Sequence, residues 1–333
     1  MDYKMAGVNI DTANSTKSEF KRILHTGDPQ ILNQVGAFAS LFDLSKFKIK
    51  NPVLVTKTEE PGSKQLLCFQ NDRYESICHD MINHLVNDCI MMGAHPLIVQ
   101  DCIVCGKLEQ DKVKRMVGAM ADACRFNHCK LVGGETSEQP GVIPEGTYIL
   151  SSSIVGIVGK EDLIDGSKIK EGDDVIALAS SGPHTNGYTL IRAIMKAYPD
   201  LTDQMFLEDV LKVHRAYYPV LKKAFPYIRG MAHITGGGIS ENLDRILPED
   251  LKALVNLSDI KIPSIFKKIR RVGEVPDADM LRTFNLGVGV IIVVEPKVTE
   301  FIIQELSHFC DTYKIGTIIK GDKKVIYEGR FNW

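Results

Sequence analysis

One stretch of the sequence, residues 131–141, limits the possible folds more than any other, because two adjacent glycines are followed by two carboxylates, two hydroxyls and a proline. Adjacent glycines let backbone N–H groups approach a ligand, since no Cβ stands in the way. We predict a loop here, between a helix that ends near Asn127 and a strand that begins near Thr147. Such a loop suits a nucleotide, a metal ion or both, whereas a Gly-Gly-Glu sequence taken alone favours a turn with solvated carboxylates.

Four further stretches carry side chains suited to ligand contact; they are residues 58–64, 80–88, 180–188 and 235–242. Two of them follow a predicted strand and precede a predicted helix, an order that often binds phosphate at the helix N-terminus. Neither has the Walker spacing, so a P-loop is excluded. Together the five stretches predict one polyphosphate site and a second ligand.

A polar stripe runs along a helix predicted at residues 79–92. Asp80, His84, Asn87 and Asp88 fall on one helical face, and Gly93 is placed to end the helix. The opposite face is apolar, and the segment leads into a buried strand at residues 97–105. The stripe either lines a cleft or is a solvated surface, and the sequence leaves both interpretations open.

The length of 333 residues favours two domains. Turn signals at residues 162–173 place the boundary, and we predict domains at 1–165 and 166–333. In the first half we predict a helix at 18–24, strands at 52–55 and 66–69 around the loop at 58–64, a helix at 111–127 and a strand at 148–158. In the second half we predict strands at 175–179, 231–234, 251–255, 287–294, 314–319 and 324–327, with helices at 189–197, 239 onward, 264–272 and 298–309.

Composition excludes several classes of protein. With 40 basic and 42 acidic side chains, the net charge is −2, which does not favour nucleic acid or a membrane surface as the main partner. There is no secretory signal pattern and no run of about 18 apolar residues, so we expect a cytoplasmic protein with free thiols. Cys102 and Cys105 have the spacing of a zinc pair, but their place in a predicted buried strand favours packing.

Eight motifs, in order along the chain, resemble the aminoimidazole ribonucleotide (AIR) synthetase family, also called phosphoribosylformylglycinamidine cyclo-ligase. They lie at residues 3–11, 86–88, 106–108, 131–136, 164–166, 180–188, 233–238 and 284–289. The resemblance spans nearly the whole chain at matching spacing. It implies an N-terminal α/β domain whose sheet pairs with its twin across a homodimer, and a C-terminal α+β domain.

The activity implied by the resemblance is the ATP-dependent closure of an imidazole ring. Formylglycinamidine ribonucleotide (FGAM) is converted to AIR in de novo purine biosynthesis, with Mg²⁺ as a cofactor and ADP and phosphate as further products. An amide oxygen is a poor leaving group until ATP phosphorylates it. Mg²⁺ that bridges phosphate oxygens needs hard oxygen ligands.

The resemblance also implies site residues. Catalysis is expected from His184 as general acid or base, from Lys64 as a neutraliser of phosphate charge, and from Asp88. The implied nucleotide contacts are Glu59, Lys64, Asp80, Asn87, Gly133, Gly134, Glu135 and Thr136. The implied substrate contacts are Ser181, Gly182, His184, Asn186, Thr235, Gly236, Gly237 and Gly238. The implied metal ligands are Glu59, Asp80, Asp88 and Glu135.

Two segments depart from the family pattern. Glu59, Glu60 and Pro61 stand where the family has Asp-Gly-Val. Where the family has Gly-Gly-x-Gly-Gly-Phe, residues 33–38 keep only one of the four glycines, Gly36. Pro61 contributes no N–H, and Glu59 is one methylene longer than aspartate. The alternative function is therefore that of a diverged member with weak or no catalysis, which acts as a nucleotide-binding or regulatory protein.

Overall fold

The computed structural model describes residues 10–24, 27–33 and 36–333. The chain divides into two units. The first holds the described residues up to Pro61 together with Cys68–Cys89 and Ala94–Glu161, and the second holds Gly62–Leu67, Ile90–Gly93 and Asp162–Trp333. We predicted a single boundary after residue 165 and did not foresee the two short segments that join the second unit. Most of the motif at 3–11, and positions 34 and 35, lie outside the described residues.

A four-stranded mixed sheet forms the centre of the first unit. Its strands are β1 (Pro52–Glu59), β2 (His95–Cys105), β3 (Lys130–Glu138) and β4 (Tyr148–Gly159), in the order β1-β4-β2-β3. Only the β2–β3 pair is parallel; β4 runs antiparallel to both β1 and β2. The helices are α1 (Ile10–Leu24), α2 (Lys64–Gln70), α3 (Tyr74–Ile90) and α4 (Gln110–Phe126), and α2 begins in the second unit.

One face of this sheet contacts helix α3, whereas the other face carries exposed side chains. On one face Ser152 of β4 donates a hydrogen bond to the sulfur of Met81 on α3, at 3.5 Å. Because side chains alternate along a strand, Leu54 and Ile149 point to the other face, where 55% and 44% of their surface is exposed. One face of the sheet therefore presents apolar side chains to solvent.

The second unit is built on a six-stranded sheet. Its strands are β5 (Asp174–Ala179), β6 (Ile228–His233), β7 (Leu251–Asn256), β8 (Val288–Val294), β9 (Thr312–Lys320) and β10 (Lys324–Glu328), in the order β10-β7-β9-β5-β8-β6. Every residue of β8 is buried, as expected for an inner strand with an unbroken apolar sequence. The helices are α5 (Tyr188–Ala197), α6 (Gln204–Val210), α7 (Tyr218–Leu221), α8 (Gly238–Leu243), α9 (Ser264–Val272), α10 (Asp277–Thr283) and α11 (Thr299–Ser307).

Most predicted elements are confirmed within a few residues, and so is the fold class of each half. Two predictions are wrong. The loop predicted at 131–141 is largely strand β3, and the strand predicted at 66–69 lies inside helix α2. Helices α6, α7 and α10 were not predicted, and neither was the parallel pairing of β10 with β7. Among the described helices, none is long and apolar enough to cross a membrane.

Candidate active site

Strand β3 places the paired glycines at the edge of the first sheet. Gly134 lies opposite Asp101 of β2. A Cβ at Gly134 would overlap the backbone and carboxyl oxygens of Asp101, so no other residue fits there without movement. Gly133 has φ of +145°, a conformation that side chains disfavour. The glycines therefore serve strand pairing as well as access to the backbone.

A cavity of about 560 Å³ lies against this edge. Ser40 donates a hydrogen bond to the Val132 carbonyl at 2.8 Å, which holds the segment before β1 against β3. The lining residues come from α1, that segment, β2, α4 and β3, and include Lys21, Gly36, Gln100, Asp101, Val117, Gly133, Gly134, Glu135 and Thr136. The four predicted nucleotide contacts at 133–136 thus line one cavity together, in the first unit.

Asp101 is a buried acid in the wall of this cavity, and no motif around it marks it as a site residue. Burial of its carboxyl, which is 8% exposed, raises its pKa to about 7, and the charge of Glu135 acts in the same direction. A carboxyl with this pKa is present in both protonation states near neutral pH, so it can donate a hydrogen bond to a ligand as well as accept one.

Two predicted metal ligands meet at the end of β1. The carboxylate oxygens of Glu59 and Asp88 each lie 3.0 Å from the ammonium of Lys57. The Nε2 atom of His84 lies 3.8 Å from each of the same two oxygens. Burial alone would lower the pKa of Lys57, but the charges of Asp88 and Glu59 outweigh it and raise that pKa. The two carboxylates therefore converge on a single cation.

The other two predicted metal ligands lie apart from this pair. Asp80 is fully buried on α3, eight residues before Asp88, which corresponds to about 12 Å along a helix. One row of paired residues crosses the sheet in the order Glu59, Ser152, Asp101 and Gly134. Since neighbouring strands are about 4.8 Å apart, Glu59 is about 14 Å from Gly134, the residue next to Glu135. The solvated interpretation of the α3 stripe is wrong, since Asp80, His84 and Asn87 are all buried.

Lys64 belongs to the second unit. Its ammonium donates a hydrogen bond to the Lys212 carbonyl at 2.8 Å and lies 5.5 Å from the centroid of the Tyr188 ring. The side chain is fully buried. Lys64 is thus placed beside Tyr188, the first residue of α5.

The loop between β5 and α5 is held by Asn285, from a distant motif, and by two serines of the loop itself. Asn285 donates a hydrogen bond to the Gly182 carbonyl at 2.9 Å, and Ser180 donates to the same carbonyl at 3.0 Å. Ser181 donates to the Val213 carbonyl at 2.6 Å. The loop then opens onto a second cavity of about 560 Å³, lined by Ser63, Thr185, Asn186, Gly187, Tyr188, Thr189, Leu190, Ala193 and Thr283.

His184 is part of a buried row of three histidines. Its Nε2 accepts a hydrogen bond from the Ser181 N–H at 3.2 Å, so the neutral ring carries its proton on Nδ1. The ring stacks on His214, with centroids 3.9 Å apart and planes 16° apart, and the Nε2 atoms of His214 and His233 are 3.0 Å apart. Each of the three rings offers a nitrogen within 4.8 Å of the other two. The stacked rings of His184 and His214 hold their lone pairs in nearly parallel planes, which disfavours binding of one metal ion by both.

The glycines at 236–238 are only partly available to a ligand. Gly237 donates its N–H to the Arg282 carbonyl at 3.0 Å, and Gly238 donates to Thr235 at 3.1 Å. These two N–H groups are therefore not available to an anion, because their hydrogen-bonding capacity is used inside the protein. Gly236 lies next to Asn186, since a Cβ at Gly236 would be 3.4 Å from the Asn186 side-chain oxygen. Two predicted substrate-binding stretches are thus neighbours.

Comparison with known sequences decides the family. Residues 47–158 match the family described as AIR synthase related protein, N-terminal domain, and residues 170–328 match its C-terminal domain. The phosphoribosylformylglycinamidine cyclo-ligase of Desulfitobacterium hafniense (strain DSM 10664 / DCB-2) is 41% identical over 317 residues, which cover 92% of each chain. The chain belongs to the AIR synthase family. The cyclo-ligase of Thermoanaerobacter pseudethanolicus is 38% identical over 98% of this chain and 100% of its own.

Solved structures show the same fold at lower identity. The hydrogenase maturation protein HypE in complex with ATP has a TM-score of 0.70 and 16% identity, over 97% of this chain and 93% of its own. Thiamine-monophosphate kinase from Stenotrophomonas maltophilia K279a has a TM-score of 0.71 and 16% identity, over 94% and 95%. This AIR synthase family member thus shares its fold with proteins of different activity, and its own chemistry depends on the side chains described above.

Proposed function

We propose that this chain catalyses the ATP-dependent cyclisation of FGAM to AIR, with release of ADP and phosphate. The observation that carries the proposal is the 41% identity to a phosphoribosylformylglycinamidine cyclo-ligase over 92% of both chains. Relatives at this similarity and coverage usually share the reaction as well as the fold. The runner-up, a nucleotide-binding or regulatory protein with weak or no catalysis, is favoured only by the departures from the family pattern at 59–61 and 33–37.

The cavity beside β3 is the proposed nucleotide site. Gly133 and Gly134 leave backbone groups open to phosphate, and Asp101 can donate or accept a hydrogen bond inside the wall. A cavity of about 560 Å³ is within the usual range for small-molecule sites. ATP placed here would activate the amide oxygen of the substrate by phosphorylation, which turns that oxygen into a leaving group.

Glu59 and Asp88 are the proposed metal ligands. An oxygen of each carboxylate contacts one cation, the Lys57 ammonium, at 3.0 Å, and carboxylate oxygens are the donors that a hard divalent ion prefers. When bound, Mg²⁺ would supply positive charge to the phosphate oxygens. Asp80 and Glu135 lie about 12 and 14 Å from these two residues, so their role as ligands stays a prediction.

The second cavity, at the start of α5, is the proposed site of the substrate. Thr185 and Asn186 line it, and the buried charge of Lys64 lies beside Tyr188 at its edge. The fully buried ring of His184 lies under the same loop and keeps its proton at Nδ1. The role of His184 as general acid or base stays a prediction.

The assembly proposed for the enzyme is a homodimer. The uncovered face of the first sheet, with Leu54 and Ile149 exposed, is the surface we assign to the contact. Exposed apolar side chains on an ordered sheet face are typical of protein interfaces. A cytoplasmic location also stays a prediction.

The test of the proposed function is direct. Purified protein is mixed with FGAM, ATP and Mg²⁺, and AIR is measured as a diazotisable aromatic amine while ADP is followed by a coupled assay. The expected result is AIR and ADP in equal amounts. ATP binding measured by calorimetry without any AIR would instead support the runner-up.

A further inference from the structure

The turn before α5 carries a histidine at a position that favours glycine. The Asn186 N–H donates a hydrogen bond to the Pro183 carbonyl at 3.3 Å, which closes a four-residue turn. His184 is the second residue of that turn, and its φ of +60° is a conformation that side chains disfavour. Thr185 and Asn186 complete the turn and line the second cavity. The shape of this part of the cavity wall therefore depends on what holds His184 in place.

The ring of His184 contacts both its own loop and a neighbouring ring. Its Nε2 accepts a hydrogen bond from the Ser181 N–H at 3.2 Å. Its flat side lies on His214, with centroids 3.9 Å apart and planes 16° apart. A hydrogen bond to one nitrogen fixes one edge of a ring but leaves its plane free to tilt, whereas a stacked neighbour fixes the plane. The orientation of His184 is therefore set by both contacts together.

His214 is anchored to the sheet of the second unit. It lies between α6 and α7 and is 1% exposed. Its Nε2 is 3.0 Å from the Nε2 of His233, the last residue of β6, so one of these nitrogens donates and the other accepts. The stretch that follows His233 brings Gly236 next to Asn186. His214 thus lies between the two stretches predicted to contact the substrate, and all of these residues belong to the second unit.

We propose that His214 is a positioning residue for substrate binding: its ring holds that of His184, and with it the turn at residues 183–186 that lines the second cavity. This inference rests on the proposed function, because it takes FGAM as the ligand of that cavity. His214 is buried and acts through His184, so it needs no contact with the substrate itself. Its flat ring is the property that matters, since a flexible side chain does not fix the plane of a ring packed on it.

The test measures the binding of FGAM without ATP, so no turnover occurs. FGAM is titrated by calorimetry into the wild type and into two variants. His214→Gln keeps a polar group near the position of Nε2 but loses the ring, so FGAM affinity should fall by about tenfold, since a displacement of about 1 Å is enough for such a loss. His214→Phe keeps a flat ring and should bind FGAM within about threefold of the wild type. If His214→Gln does not fold, His214→Leu, which also lacks a flat ring, replaces it.

A matched control separates the stack from the general loss of an imidazole. His308 is exposed at the end of α11 in the same unit, and His308→Gln should leave FGAM affinity unchanged. Wild-type affinity in His214→Gln would overturn the proposal. An equal loss in His214→Phe would also overturn it, because the ring stack would then not be the cause.

Steady-state kinetics of AIR formation distinguish positioning from a loss of folded protein. In His214→Gln the KM for FGAM should rise by about tenfold while kcat changes little, as expected when binding energy alone is lost. The KM for ATP should stay the same, because the proposed nucleotide cavity lies in the first unit. A merely structural role would instead lower kcat per total protein and leave both KM values unchanged, and that result contradicts the proposal.

Nuclear magnetic resonance of histidine labelled with ¹⁵N tests the stack without any substrate. The signal of His184 is assigned by its absence in His184→Asn. In the wild type and in His214→Phe the ring should carry its proton on Nδ1, as the bond from Ser181 requires. In His214→Gln a mixture of tautomers is expected, because the ring can tilt away from the Ser181 N–H.

This signal keeps the two proposals distinct. A single, unchanged tautomer in His214→Gln, together with AIR formation by the wild type, refutes the role of His214 alone. The expected mixture in His214→Gln, together with no AIR formation by the wild type, refutes the proposed function alone.

Discussion

The charge state of a single side chain, Asp101, is strongly affected by the fold. Its raised pKa means that the protonated form is favoured in the folded protein. The stability contributed by this group is full below the unfolded pKa of about 4 and is lost as the pH rises through 7. Asp101 therefore makes the first unit less stable at alkaline pH than at mildly acidic pH.

Replacing this carboxyl by an amide should remove its contribution to the pH dependence of stability. Compared with the wild type, Asp101→Asn should gain stability between pH 5 and pH 8, on the order of 3 kcal/mol. The measurement is the free energy of unfolding in urea at both pH values, with EDTA present. Asp322→Asn, at an exposed position of the other unit, controls for the loss of one charge. A difference between Asp101→Asn and wild type that does not change with pH would show that the carboxyl is ionised in the folded state.

Sequence reasoning at this scale found some site residues and missed others. Glu59 and Asp88 were selected, and they do meet. Lys57 was missed because alternating polar residues on a strand are ordinary, and its partner on α3 is brought near only by tertiary packing. His214 was missed because the apolar and basic residues around it form no motif; its importance is visible only in the ring stack with His184.

Strand β3 differs most from its sequence-based prediction, which was a loop. Glycine is depleted in strands, and Gly133-Gly134 followed by acidic residues is typical of a loop. Parallel pairing with β2 overrides that local preference, and Gly134 is needed because Asp101 leaves no room for a Cβ. The strand predicted at residues 66–69 is wrong for a related reason, since a short apolar run does not distinguish a strand from a helix.

Close packing at Gly134 gives a prediction for this strand. Gly134→Ala should destabilise the protein by about 1–3 kcal/mol, because a methyl group is forced against backbone and carboxyl oxygens. Gly118→Ala on α4 is the matched control, since a Cβ there meets nothing within 4 Å. The control should be neutral or stabilising by up to about 1 kcal/mol, as alanine favours helix. Thermal unfolding of both variants is the measurement, and equal melting temperatures would contradict the close approach.

At the scale of the whole molecule, the uncovered sheet face predicts self-association. The wild-type protein should sediment as a dimer, and Leu54→Glu should give a monomer, because a buried carboxylate opposes the apolar contact. Phe301→Glu is the control: Phe301 is 48% exposed on α11 of the second unit, and its substitution should leave the dimer intact. A wild-type monomer at all concentrations in sedimentation equilibrium would refute the assignment.

Two short segments of the N-terminal half belong to the second unit, so the order of synthesis on the ribosome affects when they can pack. Gly62–Leu67 and Ile90–Gly93 are made early, yet they belong to the unit whose main part, Asp162–Trp333, is made last. Buried groups such as Lys64 and Leu67 therefore emerge long before the residues that surround them. These two segments can therefore pack into their own unit only after the chain that follows Asp162 has been made.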